Sequence, residues 1–282
     1  MKKISLIALF AALVMNVNAT DIWTGSKHVS WSDGGIQIAS AQFANATAGQ
    51  KIVVTYSDAT DGIEFKVMNE HFDHLAGSRE AAWIKDGGVF EQFLTQTAVD
   101  SLKQYGLEII GANFTATKVE LNDGKTLKDG ITVWTGFFWA DEWSTLELYR
   151  DGYCNVDFSK ATAIRFYSEA AGTNYIINVK ENWDPEGQIA SQADMTDGEG
   201  YKELPLTDAL RSRLANAGKW MIQFNKEQLN AFNVTDIVLV MSGTTGIDNT
   251  AAEAKAVKSF RNGQLVIEKS GKTYNALGVE MK

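Results

Sequence analysis

Apolar and polar positions alternate along most of this chain. Ile52, Val54 and Tyr56 alternate with Lys51 and Thr55, and Ile63, Phe65 and Val67 alternate with Glu64 and Lys66. A period of two with one polar side predicts half-buried antiparallel strands. The pattern returns where Ile164 and Phe166 flank Arg165, and where Tyr175, Ile177 and Val179 flank Asn178 and Lys180. Two stretches break it, Gln96 to Gln104 and Thr207 to Ala215, and these read as short helices. Thr207 is placed to cap the second, with Gly106 and Gly218 just beyond the C-terminal ends. The links between strands are turns such as Asp61-Gly62, Asp86-Gly87-Gly88 and Asn122-Asp123-Gly124. Short strands at regular spacing, separated by turn signals, predict an all-β chain of jelly-roll-like β-sandwich type.

The pattern also repeats. Ile22-Trp23-Thr24-Gly25 recurs as Val133-Trp134-Thr135-Gly136, after which Trp31 aligns with Trp143, Ile52 with Ile164 and Val67 with Val179. Leu94-Thr95 then aligns with Leu206-Thr207, Gly106 with Gly218, and Leu121 with Leu239 after an insertion in the second copy. One register held over so many apolar and glycine positions predicts a duplicated unit. The expected organisation is a first sandwich over 20–121, a linker over 122–130 and a second sandwich over 131–243. A polar linker over 244–257 then leads to a C-terminal hairpin over 258–282, turning at Ser270-Gly271.

The first nineteen residues stand outside this pattern. Lys2 and Lys3 precede an apolar run from Ile4 to Met15, and Val17-Asn18-Ala19 supplies a cleavage site. That is a signal peptide over 1–19, with an apolar run too short to span a bilayer. The expected location is therefore exported, at the cell surface or outside it. A net charge of −9 argues against nucleic acid or an anionic membrane as partner, because both require clustered basic residues. The single Cys154 rules out an intrachain disulfide, so packing alone must hold the fold. Two prolines beside 24 glycines and eight tryptophans suit a sandwich with tight turns and large aromatic anchors.

With these residues in view, the chain resembles a known group. Ile22-Trp23-Thr24-Gly25, Trp31, Gly49-Gln50-Lys51-Ile52 and Leu102 to Gly106 resemble the small jelly-roll domains of secreted polysaccharide-degrading systems. The resemblance covers 21–121 and, less closely, 131–241. It implies tandem carbohydrate-binding modules for a plant-type polysaccharide or oligosaccharide, without catalysis. Residues 262–282 resemble the end of the C-terminal segment of proteins exported by type IX secretion, which implies secretion machinery as a further partner. The full sorting domain of that system is longer than this match.

Sugar recognition needs flat aromatic faces for stacking and polar groups for the hydroxyls. Trp23 and Trp134 belong to the repeated strand motif and read as core. Trp31 and Trp143, among polar or acidic neighbours, and Trp183, in an Asn- and Asp-rich loop, are candidate platforms, with His71 and Phe72 as the first-copy counterparts of that loop. Trp83 and Trp139 lack counterparts and read as loop-tip aromatics that complete the carbohydrate-binding set. Exposed aromatics equally suit a surface structural or adhesive protein that binds proteins. His71, Asp73 and His74 lack a fourth ligand for zinc, whereas Asp194, Asp197 and Glu199 form an acidic loop with the oxygen chemistry of a calcium site. A glycan-active sandwich enzyme would need two convergent carboxylates, and Glu64 and Glu108 meet Ile176 and Trp220 in the second copy. There is no Gly-x-Ser-x-Gly motif, and Cys154 has no nearby histidine, so no catalytic residue is assigned.

Overall fold

The computed structural model describes residues 19–59, 63–79, 82–84, 88–149 and 158–242, and then 257–261, 264–269, 272–275 and 280–281. Signal-peptide residues 1–18, Cys154, the Asp61-Gly62 and Asp86-Gly87 turns and linker residues 244–256 lie outside them.

Among the described residues, eight strands form the first part: β1 (Thr20–Val29), β2 (Ile36–Ile38), β3 (Lys51–Ser57), β4 (Ile63–Met68), β5 (Ala82–Ile84), β6 (Val89–Phe93), β7 (Leu107–Ala112) and β8 (Phe114–Asn122). They pair antiparallel in two sheets, β1-β8-β3-β6 and β2-β7-β4-β5, the interleaved order of a jelly roll. The predicted alternation sets the inner faces. Ile52, Val54, Phe65 and Val67 are buried between the sheets, and Phe65 of one sheet stacks on Phe114 of the other with ring centroids 4.1 Å apart.

The second part holds β9 (Ile131–Ala140), β10 (Ser144–Tyr149), β11 (Ala161–Ser168), β12 (Ile176–Lys180), β13 (Gln188–Ala190), β14 (Thr196–Gly198), β15 (Tyr201–Pro205), β16 (Lys219–Asn225) and β17 (Phe232–Met241). Its sheets run β14-β15-β11-β17-β9 and β10-β16-β12-β13. With β14 set aside, this is the strand order of the first sandwich. The ladders agree residue by residue: Trp23 faces Val119 as Trp134 faces Ile237, and Val67 faces Ile109 as Val179 faces Ile222. In each Trp-Thr-Gly motif the indole lies over the glycine two residues on. A Cβ on Gly25 would meet the Trp23 ring at 3.0 Å, and one on Gly136 the Trp134 ring at 2.8 Å. Trp134 is buried, and Trp23 is partly buried against the core.

Among the described residues each sandwich carries one α-helix, α1 (Gln96–Tyr105) and α2 (Asp208–Asn216). The Thr95 and Thr207 side chains cap them, accepting from the N–H of Ala98 and Leu210. Their C-terminal ends differ. Gly106 closes α1 at φ 79° and passes straight into β7, whereas α2 ends at extended Ala217 and Gly218 adds a residue before β16. The extra residue moves the register by one. Leu107 therefore matches Trp220, both inside, and Glu108 matches Met221 rather than Trp220, which corrects the sequence alignment.

The C-terminal part is a four-stranded antiparallel sheet and not a lone hairpin. It comprises β18 (Val257–Arg261), β19 (Gln264–Lys269), β20 (Lys272–Asn275) and β21 (Glu280–Met281), with Lys269 opposite Lys272; the predicted Ser270-Gly271 turn lies outside the described residues. Its first strand begins at Val257, inside the predicted linker.

The two sandwiches meet along a seam. The Lys125 N–H donates to the Gly49 carbonyl at 2.9 Å, and Gly49 has φ 90° with no room for a Cβ beside the Lys125 carbonyl. The Lys125 ammonium enters the second sandwich, donating to the carbonyls of Gly136 and Thr235 and pairing with Asp236 at 3.2 Å. His74 stacks on Tyr149 at 4.4 Å, Phe93 meets Phe137 at 5.7 Å, and the Arg79 guanidinium lies 5.2 Å from the Phe138 ring.

Candidate functional site

Trp31, Phe72, Trp139, Trp143 and Trp183 are each between 52% and 62% exposed, as is Phe137, which the sequence reading passed over. Local hydrogen bonds hold the loop aromatics out. Trp31 tips the β1–β2 turn, where the Ser30 hydroxyl accepts from the Asp33 N–H at 3.0 Å, and the Lys66 ammonium lies 5.4 Å from its ring. Trp143 occupies the matching β9–β10 turn at φ 52°, beside Asp141 and Glu142, which pair with Lys226 at 2.6 and 3.9 Å.

In the loop after β4, buried Asn69 accepts from the N–H groups of His71 and Asp73. This folds the loop so that Phe72 projects at φ 65°. Trp183 sits in the corresponding loop after β12. There Arg213 of α2 binds Glu181 at 3.0 Å and the Gln188 carbonyl at 2.6 Å, and the Lys180 ammonium lies 5.3 Å from the indole centroid. A bulky aromatic on left-handed backbone is strained. Phe72 and Trp143 both bear that strain while facing water.

Trp83 and Trp139 are strand residues and not loop tips. Trp83 lies in β5 opposite Glu64, and Trp139 lies in β9 opposite Asn233. Strand alternation puts Trp139 on one outward face with Phe137.

The metal candidates disperse. The His71 ring lies 4.4 Å from Tyr105, His74 turns to Tyr149, and Asp73 accepts from the Asn69 amide. Asp194 closes a capping box with Ser191, Asp197 binds Lys202 at 2.7 Å, and Glu199 lines a separate hollow with Lys128 and Tyr167. Among the described residues no group of three His, Cys, Asp or Glu is placed to hold a metal ion, and no helix is long and apolar enough to cross a membrane.

Glu64 and Glu108 do not converge either. Glu108 pairs with Met68, four residues along β4 from Glu64. That is about 13 Å of strand, beyond the roughly 5–9.5 Å that glycoside hydrolysis uses. Glu108 is 3% exposed and one of its oxygens has no partner among the described residues. Burial holds its carboxyl above the usual carboxylate range; a hydrogen bond from Gln37 opposes this and the charge of Glu70 adds to it.

Sequence reasoning missed Lys202. Its side chain is 2% exposed, its ammonium pairs with Asp197 and lies 5.1 Å from the Tyr175 ring, and the hydrogen bond holds the Asp197 carboxyl below its ordinary range. The group borders a hollow of about 320 Å³ lined by Thr173, Asn174, Gln192, Asp197, Glu227 and Gln228, among others. The signal lay in the repeat: Lys202 faces Phe166 where Phe90 faces Val54.

No protein-family model and no curated protein matches the chain. A solved structure of SGBP-B from the mixed-linkage glucan utilization locus of Bacteroides ovatus, in complex with a mixed-linkage heptasaccharide, is similar to part of it. The identity is 20% and the TM-score 0.33, over 36% of this chain and 29% of that one.

Proposed function

We propose that this is an exported, non-catalytic glycan-binding protein built from two related jelly-roll modules, acting on plant-type polysaccharide such as β-glucan or xylan. The observation that carries the reading is the set of exposed aromatic faces on loops and strand ends, two of them on strained left-handed backbone. A side chain more than half exposed, yet held in a costly conformation, is suited to an external partner. Trp31 with Lys66 and Trp183 with Lys180 each join a stacking face to a hydrogen-bond donor, the combination a sugar ring needs. Two weak sites on one chain raise each other's effective ligand concentration. Type IX-like secretion through residues 262–282 belongs to the same proposal.

Affinity electrophoresis of the mature chain through gels containing mixed-linkage β-glucan, xylan or mannan tests it. Retardation by at least one polymer, lost on replacing Trp31 and Trp183, is the expected result. Free migration in all of them refutes glycan binding. The Phe137–Trp139 stripe on β9 then favours the second reading, a protein-binding surface module.

A further inference from the structure

We infer that the second sandwich carries a separate carbohydrate site, a hydrogen-bonding pocket around Lys202 that takes the terminal residue of a neutral sugar chain. The inference rests on the glycan-binding reading above but places a different part of the ligand in a different part of the molecule.

Lys202 breaks the rule of its own fold. In the first sandwich the equivalent inward position is Phe90, stacked on Phe65 at 4.6 Å, and the position of Tyr175 is held by Ile63. The architecture therefore needs an apolar side chain there, and burying an ammonium instead is costly unless it is paired. Its ionic partner Asp197 comes from β14, a strand of the second sandwich without an equivalent among the described residues of the first. Together with Gln192, this added segment also forms part of the pocket wall. A buried charge and an inserted strand that supplies its counter-charge and wall make a built site and not a packing accident.

The chemistry of the wall names the ligand. The Gln192 carbonyl accepts from the Ile177 N–H, while its amide nitrogen and the Asn174 and Gln228 side chains make no hydrogen bond among the described residues. Amide donors and acceptors, an ammonium and carboxylates together match vicinal hydroxyls, each of which both donates and accepts. One cation against Asp197 and Glu227 disfavours an acidic sugar. About 320 Å³ is at the small end of ligand sites, and a hollow suits a chain end better than a passing chain.

The test is calorimetric titration of the mature protein with glucose, xylose, mannose, cellotriose and xylotriose. Lys202→Phe installs the residue of the first sandwich, and Asn174→Ala/Gln228→Ala leaves the core untouched. At least one of these sugars should bind, and both variants should weaken it by about tenfold or more, the size of one lost charged hydrogen bond. No binding by the unaltered protein, or binding unchanged in both variants, overturns the pocket. Loss of pocket binding without any retardation in polysaccharide gels would support the pocket while refuting the aromatic platforms.

Discussion

Lys180 above Trp183 and Lys66 above Trp31 show how single residues divide between fold and partner. An indole more than half in water loses little on truncation in the free protein. Trp183→Ala should change stability by less than about 1 kcal/mol but weaken polysaccharide retention by about 1–3 kcal/mol. Trp134→Ala, in the core, should cost about 3–5 kcal/mol in denaturant unfolding. A Trp183→Ala protein that unfolds would make that ring structural. Glu108 gives a pH signature. Its carboxyl titrates higher when folded than when unfolded, so between those two values the unfolded chain releases a proton that the folded chain keeps. Stability therefore falls as pH rises from about 4, and the penalty is complete above the folded value. Glu108→Gln should raise the melting temperature at pH 7, with the gain vanishing near pH 4; a gain equal at both would assign the effect to packing. Exposure of Trp31, Trp143 and Trp183 was legible because their neighbours are polar, whereas Phe137 was not, in the apolar run Phe137-Phe138-Trp139. Lys202 was not, since a lysine between Tyr201 and Glu203 reads as a surface residue until the ladder shows which phase points inward.

At the scale of elements, period-two patterning located β3, β4, β11 and most of β12, because one buried face imposes that period. The break of pattern located both helices to within a residue or two. What alternation does not carry is the count of residues in a joint, so the slip between α2 and β16 became visible only in the paired strands. The C-terminal sheet was likewise under-read: all of β18 but Val257 lies inside the predicted 258–282 hairpin, and it is the pairing of β18 with β19 and of β21 with β20 that makes two strands into four. The caps offer a direct test. Thr95 is buried, accepts from the Ala98 N–H at 3.1 Å and lies 3.4 Å from the Ala76 carbonyl, whereas Thr207 is an exposed cap. Thr207→Ala should cost about 1 kcal/mol and Thr95→Ala up to about 2, with Thr95→Ser recovering most of the loss in urea unfolding. Equal costs at the two sites would show that burial adds nothing to the cap.

Across the whole molecule, the predicted 122–130 connection does more than join two sandwiches. Lys125 is bound to the first through its backbone and to the second through its side chain, and Asp236 accepts both its ammonium and the Thr135 hydroxyl, the latter at 2.8 Å. Burial pulls the Lys125 ammonium below its ordinary range, and the charge of Asp236 opposes that shift. The dependence is mutual but unequal: Asp236 alone is a buried carboxylate without its counter-charge, and Lys125 alone is a partly buried ammonium left with only carbonyl acceptors. Asp236→Ala should cost about 3–5 kcal/mol, and the Lys125→Met/Asp236→Leu double variant distinctly less, because removing both charges leaves none stranded. Calorimetry should also change form. With the tie intact the sandwiches should melt in one transition, since each contributes to the seam that His74–Tyr149 and Phe93–Phe137 extend. In Asp236→Ala the second sandwich loses its counter-charge and should melt first, splitting the trace in two. A single, unshifted transition in that variant would show that the aromatic contacts hold the seam without Lys125.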